Sequence, residues 1–233
     1  MLAMAALMLL LPMIGTAQTI KVSGDHALNP QSECLNGIMT GTAVDKVTSA
    51  LNRECLNATA VCTGLWPDTL KSLENNSIDV VAAMFYTGER AKIFDFFGPV
   101  GEDDIGCFMR ENGAQKITGI EDIFGLRVVT TEGDSWGKEI DDLIRNGTLK
   151  AMKVKTPKDA FLMVKEGTAD CALYSLPSGS AVMAQNNLTG LKPTIPLEKQ
   201  YFYVAVSKKS PCAKDIAGAL KKSGYPRFNG QLP

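Results

Sequence analysis

The feature that most constrains this chain is the regular alternation of short apolar runs with amphipathic segments. The amphipathic segments carry apolar residues at helical spacing, as at Ala43, Val47, Ala50 and Leu51. In the first half, the predicted order is strand, helix, strand, helix, strand, over residues 19–23, 43–52, 58–65, 68–74 and 78–84. Because helices that alternate with strands cover the faces of a sheet, this order predicts an α/β fold.

The second half of the chain begins the same pattern again. Strands are predicted over residues 125–130, 153–155, 169–174 and 201–206, and helices over 134–145, 157–166 and 212–222. Asp134 or Ser135 could cap the first of these helices, and Pro157 suits the first turn of the second. Two units of similar size predict two lobes, one of residues 18–108 and 203–233 and one of residues 109–202, connected near residues 106–110 and 198–204.

The first 17 residues have the pattern of a secretory signal peptide. Residues 2–14 are almost entirely apolar, and the small residues 15–17 precede Gln18. The run is shorter than the roughly 20 apolar residues that a membrane-spanning helix needs. No Lys or Arg precedes it, which departs from the usual pattern, and a buried N-terminal helix is the alternative. A signal peptide implies export, and we expect the mature protein in the periplasm.

Six cysteines agree with an oxidising compartment. They are Cys34, Cys55, Cys62, Cys107, Cys171 and Cys212. Cys55 and Cys62 are close in sequence, on either side of a plausible turn into a strand, and we predict a disulfide between them. The pairing of the other four stays open, and the apolar surroundings of Cys171 also allow a buried thiol.

Composition narrows the classes of partner and chemistry. The chain of 233 residues has 24 Lys and Arg against 25 Asp and Glu, so it has no electrostatic signature of a nucleic-acid-binding protein. His26 is its single histidine, which excludes a multi-histidine metal site. Neither a metal nor a cofactor is predicted.

The stretch from Leu65 to Pro99 resembles the family 3 extracellular solute-binding proteins, the polar amino-acid receptors of ABC importers. The resemblance lies in a helix followed by Ile78-Asp-Val-Val, Thr87-x-Glu-Arg90 and Phe96-x-x-Pro99. Further matches are Gly37, Gly41 and Asp45 near the first helix, residues 120–128 at the entry to the second lobe, and Gly167-x-x-Asp170. The spacing of Cys55 and Cys62 also occurs in some members.

The resemblance implies a two-lobed α/β fold of the periplasmic-binding-protein type (type II), with a hinge between the lobes. Such a protein closes over a solute, and the binding energy shifts the equilibrium between the open and closed forms. It implies a monomer that delivers a small anionic or zwitterionic solute, an amino acid or related organic acid, to an ABC permease. No catalysis is needed for this role.

The resemblance also implies ligand-binding residues. Arg90 matches the arginine that holds the ligand carboxylate, a task that suits the planar guanidinium. Ser135 keeps the hydroxyl of a helix-start turn that attracts anions. Asp134, next to it, is either a helix cap or a pocket residue that would repel a carboxylate and attract a cation.

Two positions depart from the family pattern. Phe85 replaces a hydroxyl residue that helps to bind the carboxylate, and Ser175 replaces the acid that binds the α-amino group. An uncharged hydroxyl cannot neutralise an ammonium group. His26 lies where the family often places an aromatic ring over the ligand, and Trp66 is predicted to pack in the core.

Two other readings of the sequence remain open. Exported cyclohexadienyl dehydratases resemble this family, and an enzyme of that kind would use Asp134, Glu132 and His26. Some similar proteins assist periplasmic redox enzymes without binding a small molecule, and the changes at Phe85 and Ser175 favour such an accessory role.

Overall fold

The computed structural model describes residues 18–113 and 115–231. The predicted signal peptide lies outside these residues. Their helices are α1 (Thr42–Arg53), α2 (Trp66–Glu74), α3 (Gly88–Ile93), α4 (Lys138–Arg145), α5 (Pro157–Lys165), α6 (Leu176–Gln185) and α7 (Ala213–Lys222), with a 3-10 helix at Ile120–Ile123. Their strands are β1 (Ile20–Ser23), β2 (Ala27–Leu28), β3 (Ser32–Leu35), β4 (Ile38–Thr40), β5 (Ala58–Ala60), β6 (Val80–Phe85), β7 (Phe94–Arg110), β8 (Val128–Thr131), β9 (Ala151–Val154), β10 (Cys171–Ser175), β11 (Leu191–Pro193), β12 (Glu198–Ser207) and β13 (Arg227–Phe228).

The main sheet has ten strands, with the order β5-β1-β6-β12-β7-β10-β8-β9 and with β11 and β13 paired to β7. At one end β5, β1 and β6 are parallel, and at the other end β10, β8 and β9 are parallel. The antiparallel strands β12 and β7 lie between these two groups. A separate small sheet contains β2, β3 and β4. This is the predicted two-lobed α/β fold.

Strands β7 and β12 join the two lobes. They pair along their length, from Phe94 opposite Ser207 to Ile105 opposite Glu198. The start of this ribbon lies beside β6 of the first lobe, and its end lies beside β10 of the second. Both predicted connecting segments fall within these strands, so the connection is a continuous ribbon rather than two loops. The lobe boundaries after residues 108 and 202 stay a prediction.

Local sequence signals account for most of the predicted helices. In α1, Ala43, Val44, Val47, Ala50 and Leu51 are buried along one face, as the spacing indicated. Helix α5 begins at Pro157, and the Thr156 side chain accepts a hydrogen bond from the Asp159 amide.

Helix α4 begins later than predicted, at Lys138. Neither Asp134 nor Ser135 caps it, because residues 133–137 form a loop before it. Gly137 ends this loop with φ of +97°, and a Cβ there would collide with the Gln200 side chain on β12. A left-handed backbone this close to the ribbon favours glycine.

The predicted disulfide between Cys55 and Cys62 is wrong. Cys62 bonds to Cys34 of β3, with the Cα atoms 5.9 Å apart, and Cys55 is an exposed free thiol. Cys55 follows the end of α1, whereas Cys62 follows β5. Because an extended strand advances about 3.3 Å per residue, β5 carries the chain away from the end of α1, and Cys62 meets Cys34 of β3 instead.

Cys171 is not a buried thiol but bonds to Cys107, linking β10 to β7 with Cα atoms 5.4 Å apart. Cys212 is a free thiol. None of the helices among residues 18–113 and 115–231 is long and apolar enough to cross a membrane.

Candidate ligand-binding cleft

Arg90 of α3 bridges the two lobes. Its backbone amide donates to the Thr87 hydroxyl, which caps the helix, at 3.1 Å. Its guanidinium donates to the carbonyl oxygens of Phe85 and Gly133, both at 2.8 Å. Phe85 ends β6 in the first lobe, whereas Gly133 follows β8 in the second. The guanidinium therefore contacts both sides of the cleft.

Trp66 reinforces this bridge. Its indole nitrogen donates to the Gly133 carbonyl at 3.1 Å, and its ring lies 5.6 Å from the Arg90 guanidinium carbon. Trp66 was predicted to be a core residue; it is buried, but it also lines the cleft. Gly133 has φ of +81°, and a Cβ there would lie 3.2 Å from Leu70. One carbonyl at a tight turn thus accepts two hydrogen bonds from the first lobe.

The loop that carries Asp134 and Ser135 is held by Asp141, in the first turn of α4. The Ser135 hydroxyl donates to Asp141 Oδ2 at 2.5 Å, and the Trp136 amide donates to Asp141 Oδ1 at 2.9 Å. Asp134 accepts a hydrogen bond from the Thr131 hydroxyl. Asp134 is therefore a cleft residue rather than a helix cap.

Two spaces that share part of their lining lie in the cleft. The first, which we call the inner chamber, has a volume of about 30 Å³. Its lining consists of Asp25, Leu28, Trp66, Ala83, Met84, Phe85, Arg90, Asp134, Ser135, Trp136, Tyr174, Ser175 and Phe202. Aromatic rings fill much of this region, and Phe85 stacks on Phe202 with ring centroids 4.5 Å apart. The chamber has room for one or two water-sized groups.

The second space, which we call the vestibule, has a volume of about 420 Å³. It shares Arg90, Asp134, Ser135 and Trp136 with the inner chamber. The rest of its lining is Thr87, Glu89, Thr130, Gly133, Asp141, Ile144, Arg145 and Lys153. A volume in this range is typical of small-molecule sites, and its lining carries both signs of charge.

Acidic side chains outnumber basic ones in the lining of the inner chamber. Asp25 and Asp134 line it with one cation, Arg90. Burial raises the pKa of Asp134 well above its usual range, and the charges of Asp25 and Asp141 add to this, whereas Arg90 and Lys153 oppose it. Burial also raises the pKa of Tyr174, with contributions from Asp25, Asp134 and Asp103. The buried carboxyl group of Asp134 therefore holds its proton to a higher pH than an exposed aspartate does.

Ser175 connects the chamber to a further carboxyl group. Its hydroxyl donates to Asp103 Oδ1 on β7 at 3.0 Å and accepts from the Ser178 amide, at the start of α6, at 3.2 Å. Asp103 is 5% exposed. Burial is the main reason why the pKa of Asp103 rises to about 7. The Ser175 hydrogen bond and the nearby Asp104 backbone amide oppose the rise, and the charge of the Asp104 side chain adds to it.

The structure brings together five of the six predicted site residues. Arg90, Phe85, Asp134, Ser135 and Ser175 line the inner chamber, whereas His26 does not. His26 Nδ1 lies 3.1 Å from Asp25 Oδ1. The hydrogen bond to Asp25 raises the pKa of His26, although its burial opposes this. The roles of all six in ligand binding stay predictions.

The residues proposed for an enzyme are not gathered in the chamber. Glu132 is exposed, and neither it nor His26 lines the chamber. Among residues 18–113 and 115–231, no group of three or more His, Cys, Asp or Glu side chains could hold a metal ion.

Sequence reasoning missed Asp25, Tyr174, Phe202 and Asp103. Asp25 had a usable signal, since it follows the predicted strand that became β1, and ligands often bind beyond the carboxyl ends of strands. Asp103 had no such signal, because its partner Ser175 is 72 residues away along the chain.

Several solved structures share this fold. A histidine kinase sensor domain with similarity to periplasmic binding proteins has a TM-score of 0.76 and 23% identity, over 89% of each chain. The arginine-bound form of truncated ArgBP from T. maritima has a TM-score of 0.72 and 22% identity, over 88% of this chain and 94% of that one. An ancestral arginine-binding protein bound to glutamine has a TM-score of 0.71 and 22% identity, over 88% of this chain and 92% of that one. At these identities the likeness shows the fold alone.

Comparison with curated proteins gave no match. The family model for bacterial extracellular solute-binding proteins, family 3, matches residues 20–221, which is most of the chain and nearly all of the two-lobed fold. The chain therefore belongs to the family 3 bacterial extracellular solute-binding proteins.

Proposed function

We propose that this protein captures a small zwitterionic solute, an amino acid or a related compound, between its two lobes. The observation that carries the proposal is the position of Arg90 in the cleft, with Asp134 and Ser135 lining the same space from the other lobe. A guanidinium pairs with a carboxylate, and a carboxylate pairs with an ammonium group. A zwitterion provides both partners.

The electrostatics favour a zwitterion over a plain anion, the other solute class that the sequence allows. The vestibule contains Arg90, Arg145 and Lys153, which attract a carboxylate, and also Glu89, Asp134 and Asp141, which repel it. The inner chamber adds Asp25. A zwitterion therefore finds partners for both of its charges in this lining, whereas a plain anion finds partners only among the basic side chains.

The contacts at Gly133 suit a protein that closes over its ligand. Arg90 and Trp66 reach across the cleft to one carbonyl oxygen, and each of these hydrogen bonds breaks if the lobes separate. Neutral hydrogen bonds contribute about 1 kcal/mol each, and those with a charged donor about 1.5–3 kcal/mol. A ligand that binds both lobes adds to these contacts and shifts the equilibrium toward the closed form.

We further propose that the protein acts in the periplasm as a monomer and delivers its solute to an ABC permease. Membership of an extracellular solute-binding family supports this role. Arginine-binding and glutamine-bound proteins of the same fold support an amino-acid-like ligand.

A thermal-shift screen tests the proposal. The mature protein, refolded to remove carried-over ligand, is screened against the twenty protein amino acids, putrescine and succinate. A ligand at about 100 times its Kd adds about 2.7 kcal/mol of stability. For a chain of this length, that raises Tm by roughly 5–10 °C.

Arg90→Ala should abolish the shift, whereas Arg53→Ala, at the exposed end of α1, should leave it unchanged. A panel with no shift in the wild-type protein would contradict the proposed function. Equal shifts in both variants would contradict the role of Arg90.

The small inner chamber favours a second candidate function. Phe85 and Phe202 fill part of the space, and two backbone carbonyls already accept hydrogen bonds from the Arg90 guanidinium. A protein that stays closed without a ligand could act as an accessory to a periplasmic redox enzyme. Small-angle scattering distinguishes the two, because a solute-binding protein contracts when a panel hit is added and an accessory protein does not change.

A further inference from the structure

Ser175 lines the inner chamber and hydrogen-bonds to a carboxyl group, that of Asp103, which is almost fully buried behind the lining. A hydroxyl has one hydrogen to donate and two lone pairs that accept. The Ser175 hydrogen is directed to Asp103 Oδ1, and one lone pair accepts the Ser178 amide. The other lone pair remains for a group inside the chamber.

The charge state of Asp103 controls this arrangement. An ionised carboxylate can only accept, so Ser175 must donate to it and face the chamber as an acceptor. A protonated Asp103 can donate to Ser175 instead, which frees the serine hydrogen to turn toward the chamber. The same side chain thus offers the ligand an acceptor in one state and a donor in the other.

No cation compensates Asp103 within the described residues. None of their Lys, Arg or His side chains forms an ion pair with it, and its second oxygen, Oδ2, is buried without a hydrogen-bond partner. Asp104 follows it on β7, and on the paired strand β12 the uncharged Gln200 lies opposite. Lys199 lies opposite Asp104 and is bonded to Glu102. From β10, the groups that face it are Ser175 and the Tyr174 phenol.

We propose that Asp103, acting through Ser175, selects an ammonium group on the ligand and places it in the inner chamber. This inference rests on the proposed function and names the part of the solute that the chamber binds. Asp25 and Asp134 line the chamber, and its 30 Å³ has room for an ammonium group but not for a whole amino acid. The rest of the ligand lies in the vestibule, where Arg90 meets its carboxylate.

The selection depends on pH. Because the pKa of Asp103 is about 7, the free protein holds it ionised at pH 8 and protonated at pH 5.5. At pH 8, the chamber accepts hydrogen bonds and attracts a cation. At pH 5.5, Ser175 can turn its hydrogen toward the chamber, and the Asp103 charge is absent. Asp134 and His26 also titrate above their usual pH, so the Asp103 contribution is measured as a difference between variants.

The test uses calorimetric titration of amine-bearing hits from the panel, amino acids or putrescine, into the wild-type protein, Asp103→Asn and Asp104→Asn. One charge near the chamber is worth about a tenfold change in Kd. We expect Asp103→Asn to weaken binding about tenfold at pH 8 and to match the wild type at pH 5.5. Asp104→Asn makes the same change at the next residue, and it should bind the ligand with the wild-type Kd at both pH values.

A second readout counts protons. At pH 6.5, titrations in two buffers of different ionisation enthalpy should show that Asp103→Asn releases about half a proton less per bound ligand than the wild type. A purely structural role for Asp103 would not change this count. If Asp103→Asn does not fold, Ser175→Ala serves in its place and should remove most of the pH dependence.

The possible failures are distinguishable. A panel without any hit contradicts the proposed function and this inference with it. An amine-bearing hit whose Kd weakens equally at both pH values in Asp103→Asn contradicts the inference alone. Binding of succinate in preference to every amine also contradicts it, while leaving solute binding intact.

Discussion

Arg90 and Asp103 are two charged side chains beside the cleft, and burial affects them differently. Burial lowers the pKa of Arg90, whereas Asp134 and Asp141 raise it. Because an arginine starts above pH 12, it stays charged. Burial raises the pKa of Asp103 to about 7, so the charge of this side chain depends on the pH near neutrality. Arg90 is thus a permanent charge that fixes geometry, and Asp103 is a charge that responds to pH.

Their hydrogen bonds differ in the same way. Arg90 donates to two backbone carbonyls, whose positions the strand and the turn determine. Asp103 has one hydroxyl partner, which can rotate, and one oxygen without any partner. The Arg90 guanidinium, held by backbone atoms, has one pattern of hydrogen bonds, whereas the hydrogen bond between Asp103 and a hydroxyl can run in either direction. Removing each side chain in turn should therefore change the stability with a different dependence on pH.

The largest expected effect is on the pH dependence of stability, through Asp103→Asn. The folded protein keeps the Asp103 proton up to about pH 7, whereas the unfolded chain releases it near the ordinary value of 3.8. The wild-type free energy of unfolding therefore falls as pH rises through this window and levels off above it. The difference between the two pKa values implies that Asp103 lowers the free energy of unfolding by about 4 kcal/mol across this window, at 1.36 kcal/mol per pH unit.

Urea unfolding at pH 4 and pH 8 measures this effect. Relative to the wild type, Asp103→Asn should gain about 4 kcal/mol between the two pH values. Asp104→Asn is the control, and its difference from the wild type should not change over this range by more than a fraction of that amount. A constant difference for Asp103→Asn would show that Asp103 is ionised throughout, and the contrast with Arg90 would disappear.

The next largest effect is expected for Arg90. Arg90→Ala removes two hydrogen bonds from a charged donor, each worth about 1.5–3 kcal/mol, although water replaces part of this loss because the side chain is partly exposed. We expect a loss of about 3 kcal/mol in urea unfolding at pH 7. The loss should persist at pH 8, because Arg90 does not titrate in this range.

Arg90→Lys sharpens this prediction. Lysine keeps the charge but lacks the planar fork that reaches Phe85 and Gly133 together. If geometry is the role of Arg90, Arg90→Lys should lose about as much stability as Arg90→Ala. Wild-type stability in Arg90→Lys would show that the charge alone matters and that the two carbonyl contacts contribute little.

The sequence predicted elements whose signals are local. Pro157 in the first turn and apolar residues at helical spacing identified α5 and α1 correctly. The ribbon of β7 and β12 was not predicted as one feature, because its pairing joins residues about 100 positions apart, such as Gly101 and Phe202. The predicted disulfide between Cys55 and Cys62 was wrong for the same reason, since Cys34 and Cys62 meet only after β3 and β5 are placed.

In the cleft, too, residues with a local sequence signal were predicted and residues that depend on distant contacts were not. Arg90 and Asp134 were found through short motifs, and both line the chamber. Asp103 was not found, because its pKa depends on burial and on a serine from another strand. Local sequence identifies which side chains a segment offers, whereas the environment that decides their charge comes from tertiary packing.

The smallest expected effect comes from Trp66, which shares the Gly133 carbonyl with Arg90. Trp66→Phe removes the indole N–H bond of 3.1 Å and keeps an aromatic ring near the guanidinium. We expect a loss of about 1 kcal/mol, the usual value for a neutral hydrogen bond. Combined with Arg90→Ala, the loss should be less than the sum, because both side chains act on one carbonyl oxygen. Additive losses in this double-mutant cycle would mean that the two contacts are independent, and that Gly133 does not serve as a common anchor between the lobes.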